Sequence, residues 1–371
     1  MAQQQRRKIL IAGALGLTGR AAIRHFESRG WEVVGLSRRT PAQAYRDDFQ
    51  SRAQFIAVDL RDPADCKAKL AALTDVTHAV YAAVYETSDL KGGWTQGTED
   101  FVGTNVQMLR NFLDALLPAA GDLQQMTVFQ GAKAYGAHTG QMKLPAKETD
   151  PRVISIGFYT PQEELLRARQ KGARWTWTIV RPQMISGFAT GAPISCLPGV
   201  GVYAAVCREL GLPLRFTGRA DGPLEAVDVA LLAKALEWAA TNSSCANQIY
   251  NIANGDCFCW PNAFRRIADE VFGMELAPAH TDYLAVVMAD KAPLWDEIVR
   301  KYDLRRYAMS EIVASWQIVD FFLDYGDRNR LSLLSTIKAR KHGFLECEDS
   351  EDMVVRQLKE MQADRILPPR Q

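Results

Sequence analysis

The stretch "KILIAGALGLTGRAAIRHFESRG" (8–30) constrains the fold more than any other part of the chain. Lys8–Gly13 is a continuous apolar run of strand length, and Leu17, Ala21, Ala22 and Phe26 follow at helical spacing up to a closing Gly30. Gly13, Gly16 and Gly19 fall between the two in a G-x-x-G-x-x-G pattern. Glycines there permit a tight turn and let backbone N–H groups approach a pyrophosphate, while the helix N-terminus offers its positive end. A glycine turn used only for packing is the alternative; the strand–turn–helix context at the start of the chain favours the dinucleotide site.

The pattern then repeats. Strands are predicted at "WEVVGLSRR", "AQFIAVDLRD", "VTHAVYAAV" (76–84), "QQMTVFQG" and "WTWTIVRP". Helices are predicted through Leu70 and Leu73, over "EDFVGTNVQMLRNFLDALLPAA", and from Gln162 to Lys171. Strands apolar on both faces and alternating with helices predict an α/β fold with a Rossmann-type, doubly wound parallel sheet. Beyond about Gly187 the alternation breaks, returning only at 223–240 (a short edge, then a helix) and 247–255 (a last strand). The expected organisation is a Rossmann domain over 1–187, its sheet completed by about 223–255. A smaller, mainly helical substrate lobe is expected from 188–222 and 256–371, with Trp260, Phe264, Trp295, Trp316 and Phe321 inside it.

Composition removes several classes of function. The 44 basic and 43 acidic residues leave a net charge of +1, so nothing in the charge balance calls for nucleic acid or another polyanion. No apolar run reaches membrane-spanning length, and "MAQQQRRKIL" lacks the apolar core of a signal peptide, so a cytoplasmic protein is expected. The seven cysteines show no zinc spacing, the nearest pair being Cys257-x-Cys259, and read as reduced thiols with no metal site.

Strand two ends in Ser37, Arg38 and Arg39, where a site for NAD(H) usually carries an acid for the ribose diol. Arginines suit a 2′-phosphate through charge-assisted bonds, so NADP(H) is the expected cofactor; a solvated basic loop is the alternative for either arginine alone. Asp59 ends strand three, either beside the adenine or as a helix-capping acid. A reductase also needs a donor for the oxygen that gains charge. Short-chain reductases normally place a Lys four residues after a Tyr, yet Tyr45, Tyr81, Tyr85, Tyr135 and Tyr159 all lack one, and Tyr159 has Glu163 there. Lys133, just past strand five, would border the ligand crevice of a doubly wound sheet and could meet Tyr159 in space; taken alone, it reads more readily as a surface loop lysine.

The stretches "GALGLTG", "SRRT", "LTDVTHAVYAA", "QGAKAYG", "GFYTPQEELL", "TWTIVRPQMISGF", "VYAAVCRELGLPLRFTG", "NIANGDCFCW", "PLWDEIVRKYDL" and "KHGFL" run in order along nearly the whole chain. Together they resemble the progesterone 5β-reductase/iridoid synthase (PRISE) family of atypical short-chain dehydrogenases/reductases. The resemblance implies that Tyr159 is the catalytic tyrosine and Lys133 its lysine, supplied from another strand. The family's N-F-Y-Y segment reads Gly157-Phe158-Tyr159-Thr160 here, and its glycine-proline-phenylalanine run is replaced by "GAHTGQMKLP". Residues that shape the substrate site therefore do not match.

The same resemblance implies cofactor contacts at Leu15, Gly16, Leu17, Arg38, Arg39, Asp59, Leu60, Ala83, Val84, Gln130, Tyr159 and Ile185, with Ala192, Pro193 and Ile194 over the diphosphate and nicotinamide end. Arg181 reads equally as a structural ion-pair former or a ligand contact, and 194–216 equally as a mobile wall or a packed helix. The expected activity is NADPH-dependent reduction of the C=C bond of an apolar enone or enal, Tyr159 holding the enolate oxygen. Carbonyl reduction at the same site, a non-catalytic NADP sensor and a nucleotide-sugar epimerase are the alternatives. A homodimer is compatible with the sequence.

Overall fold

The computed structural model describes residues 7–41, 49–87, 98–138, 140, 142–153, 157–324 and 331–370. Tyr45, the extreme N-terminus and parts of the "GAHTGQMKLP" segment lie outside the described residues.

The first strand, β1 (Lys8–Ala12), is wholly buried and feeds the glycine turn into α1 (Leu17–Ser28). Further strands are β2 (Glu32–Ser37), β3 (Gln54–Ala57), β4 (His78–Tyr81), β5 (Gln125–Phe129), β6 (Thr176–Pro182), β7 (Ile185–Ser186), β8 (Val227–Asp228) and β9 (Gln248–Ile252). Seven of them form one sheet in the order β3-β2-β1-β4-β5-β6-β9, every pair parallel. The order reverses on either side of β1, which opens a crevice at the strand ends between β1 and β4.

Helices cover both faces. On one, α2 (Pro63–Leu70), α3 (Glu99–Ala119) and α4 (Tyr159–Gln170) bury Leu109, Phe112, Leu116, Leu166 and Trp177. On the other, α1 meets a helix over Val229–Thr241 around Ile23, Phe26, Leu232 and Leu236. Helix α2 stops at Leu70, and Leu73 is buried in the turn beyond it. The short strand expected near residue 227 pairs with β7 in a separate two-stranded sheet, Ile185 opposite Val227, rather than joining the main one.

A third apolar cluster unites residues 184–226 with much of the C-terminal third and buries Trp260, Phe264 and Trp295 as expected. Within it α5 (Leu197–Glu209) is buried at every position from Leu197 to Cys207, a helix packed into the cluster. Two aromatic assignments differ. Trp316 is only partly buried against the cluster, and Phe321 faces a cavity. Residues 337–344 also leave the helical lobe: Ala339 and Phe344 pack beneath the sheet. None of the seven cysteines forms a disulfide, and Cys66, Cys196, Cys207 and Cys245 are buried. Among the described residues no helix is long and apolar enough to cross a membrane.

Candidate active site

The glycine turn shows why Gly13 and Gly19 are glycines. Gly13 takes φ +83° and, with Ala14, donates its N–H to the Leu36 carbonyl at 3.0 Å. A Cβ on Gly13 would stand 2.7 Å from the Ala82 backbone, and one on Gly19 would stand 2.2 Å from the Gly13 oxygen. Gly16 caps α1 without a side-chain bond, and Leu17, Thr18 and Gly19 of the first turn border the crevice. That uncapped end fits an anionic diphosphate.

A cavity of about 490 Å³ runs along the strand ends, within the range of small-molecule sites. Its wall begins at Gly13, Leu15, Gly16, Leu17 and Gly19, passes Ser37, Arg38, Arg39, Asp59 and Leu60, and crosses Ala83 and Val84. It ends among Gln130, Lys133, Tyr159, Ile185, Ala192, Pro193 and Ile194, so the expected cofactor contacts and the Tyr159–Lys133 pair line one space, while Arg181 does not reach it.

Tyr159 opens α4, three residues before the predicted start at Gln162, and its ring packs edge-on against Phe158 at 4.8 Å between centroids. A Cβ on Gly131 would lie 3.3 Å from the Tyr159 phenol oxygen, so the phenol sits directly over the residue two positions before Lys133. Lys133 is carried by a short 3-10 turn, Ala132–Tyr135, that leaves β5. Burial brings its ammonium down to about 7, because a charged group withdrawn from water loses hydration. If the cation supports catalysis, its loss as pH rises through that value lowers the rate. We expect kcat/KM to fall about tenfold between pH 6 and pH 8, the fraction of free enzyme bearing the cation falling by that factor. A pH–rate profile checks this, and the residual activity of a Lys133→Met variant should be flat over the same interval.

The position normally held by lysine has a different task. Glu163 is buried and accepts from Arg152 at 2.8 Å and Arg167 at 2.9 Å. Burial pushes its carboxyl up, but those two arginines more than offset this and leave it below its ordinary value. Arg181 is a structural ion-pair former: its Nη2 lies 3.6 Å from Glu163, and its Nε donates to Gln130 Oε1 at 2.8 Å. Gln130 reaches the cavity wall, while its amide is engaged by Arg181, Glu163 and the Tyr159 carbonyl.

Asp59 does not cap α2; Asp62 does, accepting from the Ala64 and Asp65 N–H groups. Asp59 is instead gripped by Arg61, whose Nη2 lies 2.6 Å from Oδ2 and whose Nε lies 3.0 Å from Oδ1. Arg61, with a further contribution from Arg38, holds that carboxyl down to about 2. Arg61 went unnoticed in the sequence, although its place two residues after Asp59 was the available signal. Phe321 and Phe322 also reach the wall from the helix Trp316–Leu323, and no local pattern announces that approach.

A parallel sheet with this glycine turn, and a cavity running from it to a tyrosine and a lysine, define a Rossmann-type short-chain dehydrogenase/reductase built to take a nicotinamide cofactor. Solved structures agree on the fold. The chain superposes on UDP-glucose 4-epimerase of Thermus thermophilus, solved with NAD, at a TM-score of 0.63 and 17% identity, covering 95% of this chain and 99% of that one. A short-chain dehydrogenase/reductase superfamily protein of Agrobacterium tumefaciens with bound NAD gives 0.65 at 14% identity, covering 97% and 98%. Residues 58–235 match the PRISE-like Rossmann-fold domain, and the chain belongs to that family. An (S)-8-oxocitronellyl enol synthase of Nepeta cataria is 31% identical over 387 residues, covering 99% of this chain and 93% of that protein. One from Catharanthus roseus is 28% identical, covering 97% and 92%. The protein is therefore an enzyme, and the resemblance read from the sequence holds.

Proposed function

We propose that the chain is an NADPH-dependent reductase of activated C=C bonds, acting on an apolar α,β-unsaturated carbonyl compound. The observation that carries this is the phenol of Tyr159 over the Gly131–Lys133 segment, in the same cavity as the uncapped helix and the two arginines. NADP(H) fits this wall: α1 would take the diphosphate and Arg38 and Arg39 the 2′-phosphate, and when bound it supplies the hydride.

Hydride arriving at the β-carbon pushes the π electrons onto the carbonyl oxygen. Tyr159 donates a hydrogen bond to that oxygen as its negative charge grows, and Lys133 supports the phenol's ionisation and orientation. Addition of a proton at the α-carbon then completes the saturated carbonyl compound. The relatives' name supports this direction, since hydride delivery to the β-carbon leaves an enolate, which becomes an enol when its oxygen takes a proton.

Carbonyl reduction is the second reading, because the same pair would hold an alkoxide as readily. The epimerase reading draws on fold alone, and these residues do not add to it, because the Tyr-x-x-x-Lys helix pair is absent. Incubation with NADPH and a panel of enals, cyclic enones and aldehydes, followed by product analysis, tests the proposal. A saturated carbonyl compound is expected. Allylic alcohol as the sole product would favour the second reading, and no NADPH consumption with any member would end both.

A further inference from the structure

When a tyrosine and its lysine share one helix, the helix itself fixes their spacing, since residues four apart lie on one face. Here Tyr159 opens α4 and Lys133 leaves β5, so their spacing depends on contacts between elements. The residue in the vacated lysine position is part of such contacts. Glu163 Oε2 meets Arg181 Nη2 at 3.6 Å and Gln130 Nε2 at 3.4 Å. Arg181 Nε donates to Gln130 Oε1 at 2.8 Å, and Gln130 Nε2 donates to the Tyr159 carbonyl at 3.1 Å. One turn of α4 leads from Tyr159 back to Glu163 and closes the ring.

Each member comes from a different part of the site. Gln130 stands directly after β5 and three residues before Lys133, Arg181 lies on β6, and Glu163 lies on the tyrosine's own helix. The Gln130 backbone is pinned as well, its N–H donating to the Val180 carbonyl at 2.9 Å. The side chains of Glu163 and Arg181 are only 4% and 7% exposed, so solvent does not screen the ring. Arg181 also stacks over the Tyr135 ring at 4.7 Å, which ties the ring to the far end of the turn carrying Lys133.

We infer that Gln130, Arg181 and Glu163 are positioning residues whose buried ring fixes the separation of Tyr159 from Lys133. The inference rests on the reading of those two as the oxygen-binding pair. An i,i+4 arrangement obtains this registration from helix geometry; this chain obtains it from an amide shared between two strand ends and a helix start. Small displacements of a reacting group are costly to the rate, so loosening the ring should act on turnover rather than on binding.

The test is Gln130→Leu, close in size and without the amide. We expect kcat with NADPH and an enone to fall about 10–100-fold, with the KM for the enone and the NADPH dissociation constant, read by fluorescence, within about threefold. In a Lys133→Met background the same substitution should add less than about twofold, because a spacing no longer used cannot be lost again. Should Gln130→Leu not fold, Glu163→Gln carries the same measurements, since it keeps the side-chain shape and the Gln130–Arg181 bond. Wild-type kcat, or a full additive loss on top of Lys133→Met, overturns the inference. Wild-type turnover in Tyr159→Phe and Lys133→Met would bring down the underlying reading instead, and the two failures are told apart by which variants stay active.

Discussion

Tyr159→Phe and Lys133→Met will each lower turnover by about 10²–10³-fold, the usual loss when one donor to a developing oxyanion is removed. Phenylalanine keeps the edge-on packing against Phe158 and deletes only the hydroxyl over Gly131. Methionine keeps the length of the lysine stem and deletes only the charge. Neither change touches the glycine turn or the arginines, so NADPH affinity should stay within about threefold, as expected for an interaction made only in the transition state. Steady-state kinetics beside a fluorescence titration separate the two quantities. The double variant should be barely worse than either single one if the residues act as a unit. Equal loss of affinity and turnover would mean that the residues hold the fold of the cavity rather than the reaction.

The elements that could be read from the chain are those whose physics is local. β1, the glycine turn and α1 follow from apolar spacing and from positions where a Cβ would meet backbone, as at Gly13 and Gly19. Most of the other strands of the main sheet announce themselves by being apolar on both faces, the partly exposed edge strands β3 and β9 less so. What depends on tertiary approach was harder to see. Phe321 resembles any core aromatic until its helix is placed against the strand ends, where it becomes cavity wall. Residues 185–186 and 227–228 are too short to show a period, so their pairing across the sheet's edge was invisible. Residues 337–344 gave no sign that they leave the helical lobe to underlie the sheet.

The candidate site divides in the same way. Lys133 and Tyr159 lie 26 positions apart, and only the topology of a doubly wound sheet, or kinship to a family, brings them together. Glu163 was visible as an anomaly, but its meaning needed Arg152, Arg167 and Arg181, which converge from a loop, the same helix and a strand. A carboxylate next to a helical tyrosine is uninformative by itself. Buried among three guanidinium groups, it becomes structural.

Arg38→Ala combined with Arg39→Ala should weaken NADPH binding by about 30-fold while leaving NADH within about threefold, each charge-assisted bond to the 2′-phosphate being worth roughly a factor of five at an exposed site. Both side chains are exposed at the exit of β2, so solvent and salt screen them and the loss is smaller than for buried contacts. Raising the ionic strength should therefore narrow the gap between NADPH and NADH in the wild type and change little in the double variant. Asp59 sharpens the expectation. Its carboxylate lines the same wall, and Arg61 and Arg38 keep it ionised far below neutral pH. Removing Arg38 leaves this negative charge less offset near an incoming phosphate, so Arg38→Ala should cost more than Arg39→Ala. Titration of both cofactors against the two single variants and the double variant decides it. Equal weakening of NADH and NADPH would show that the arginines serve the shape of the loop, and that the 2′-phosphate is recognised elsewhere or not at all.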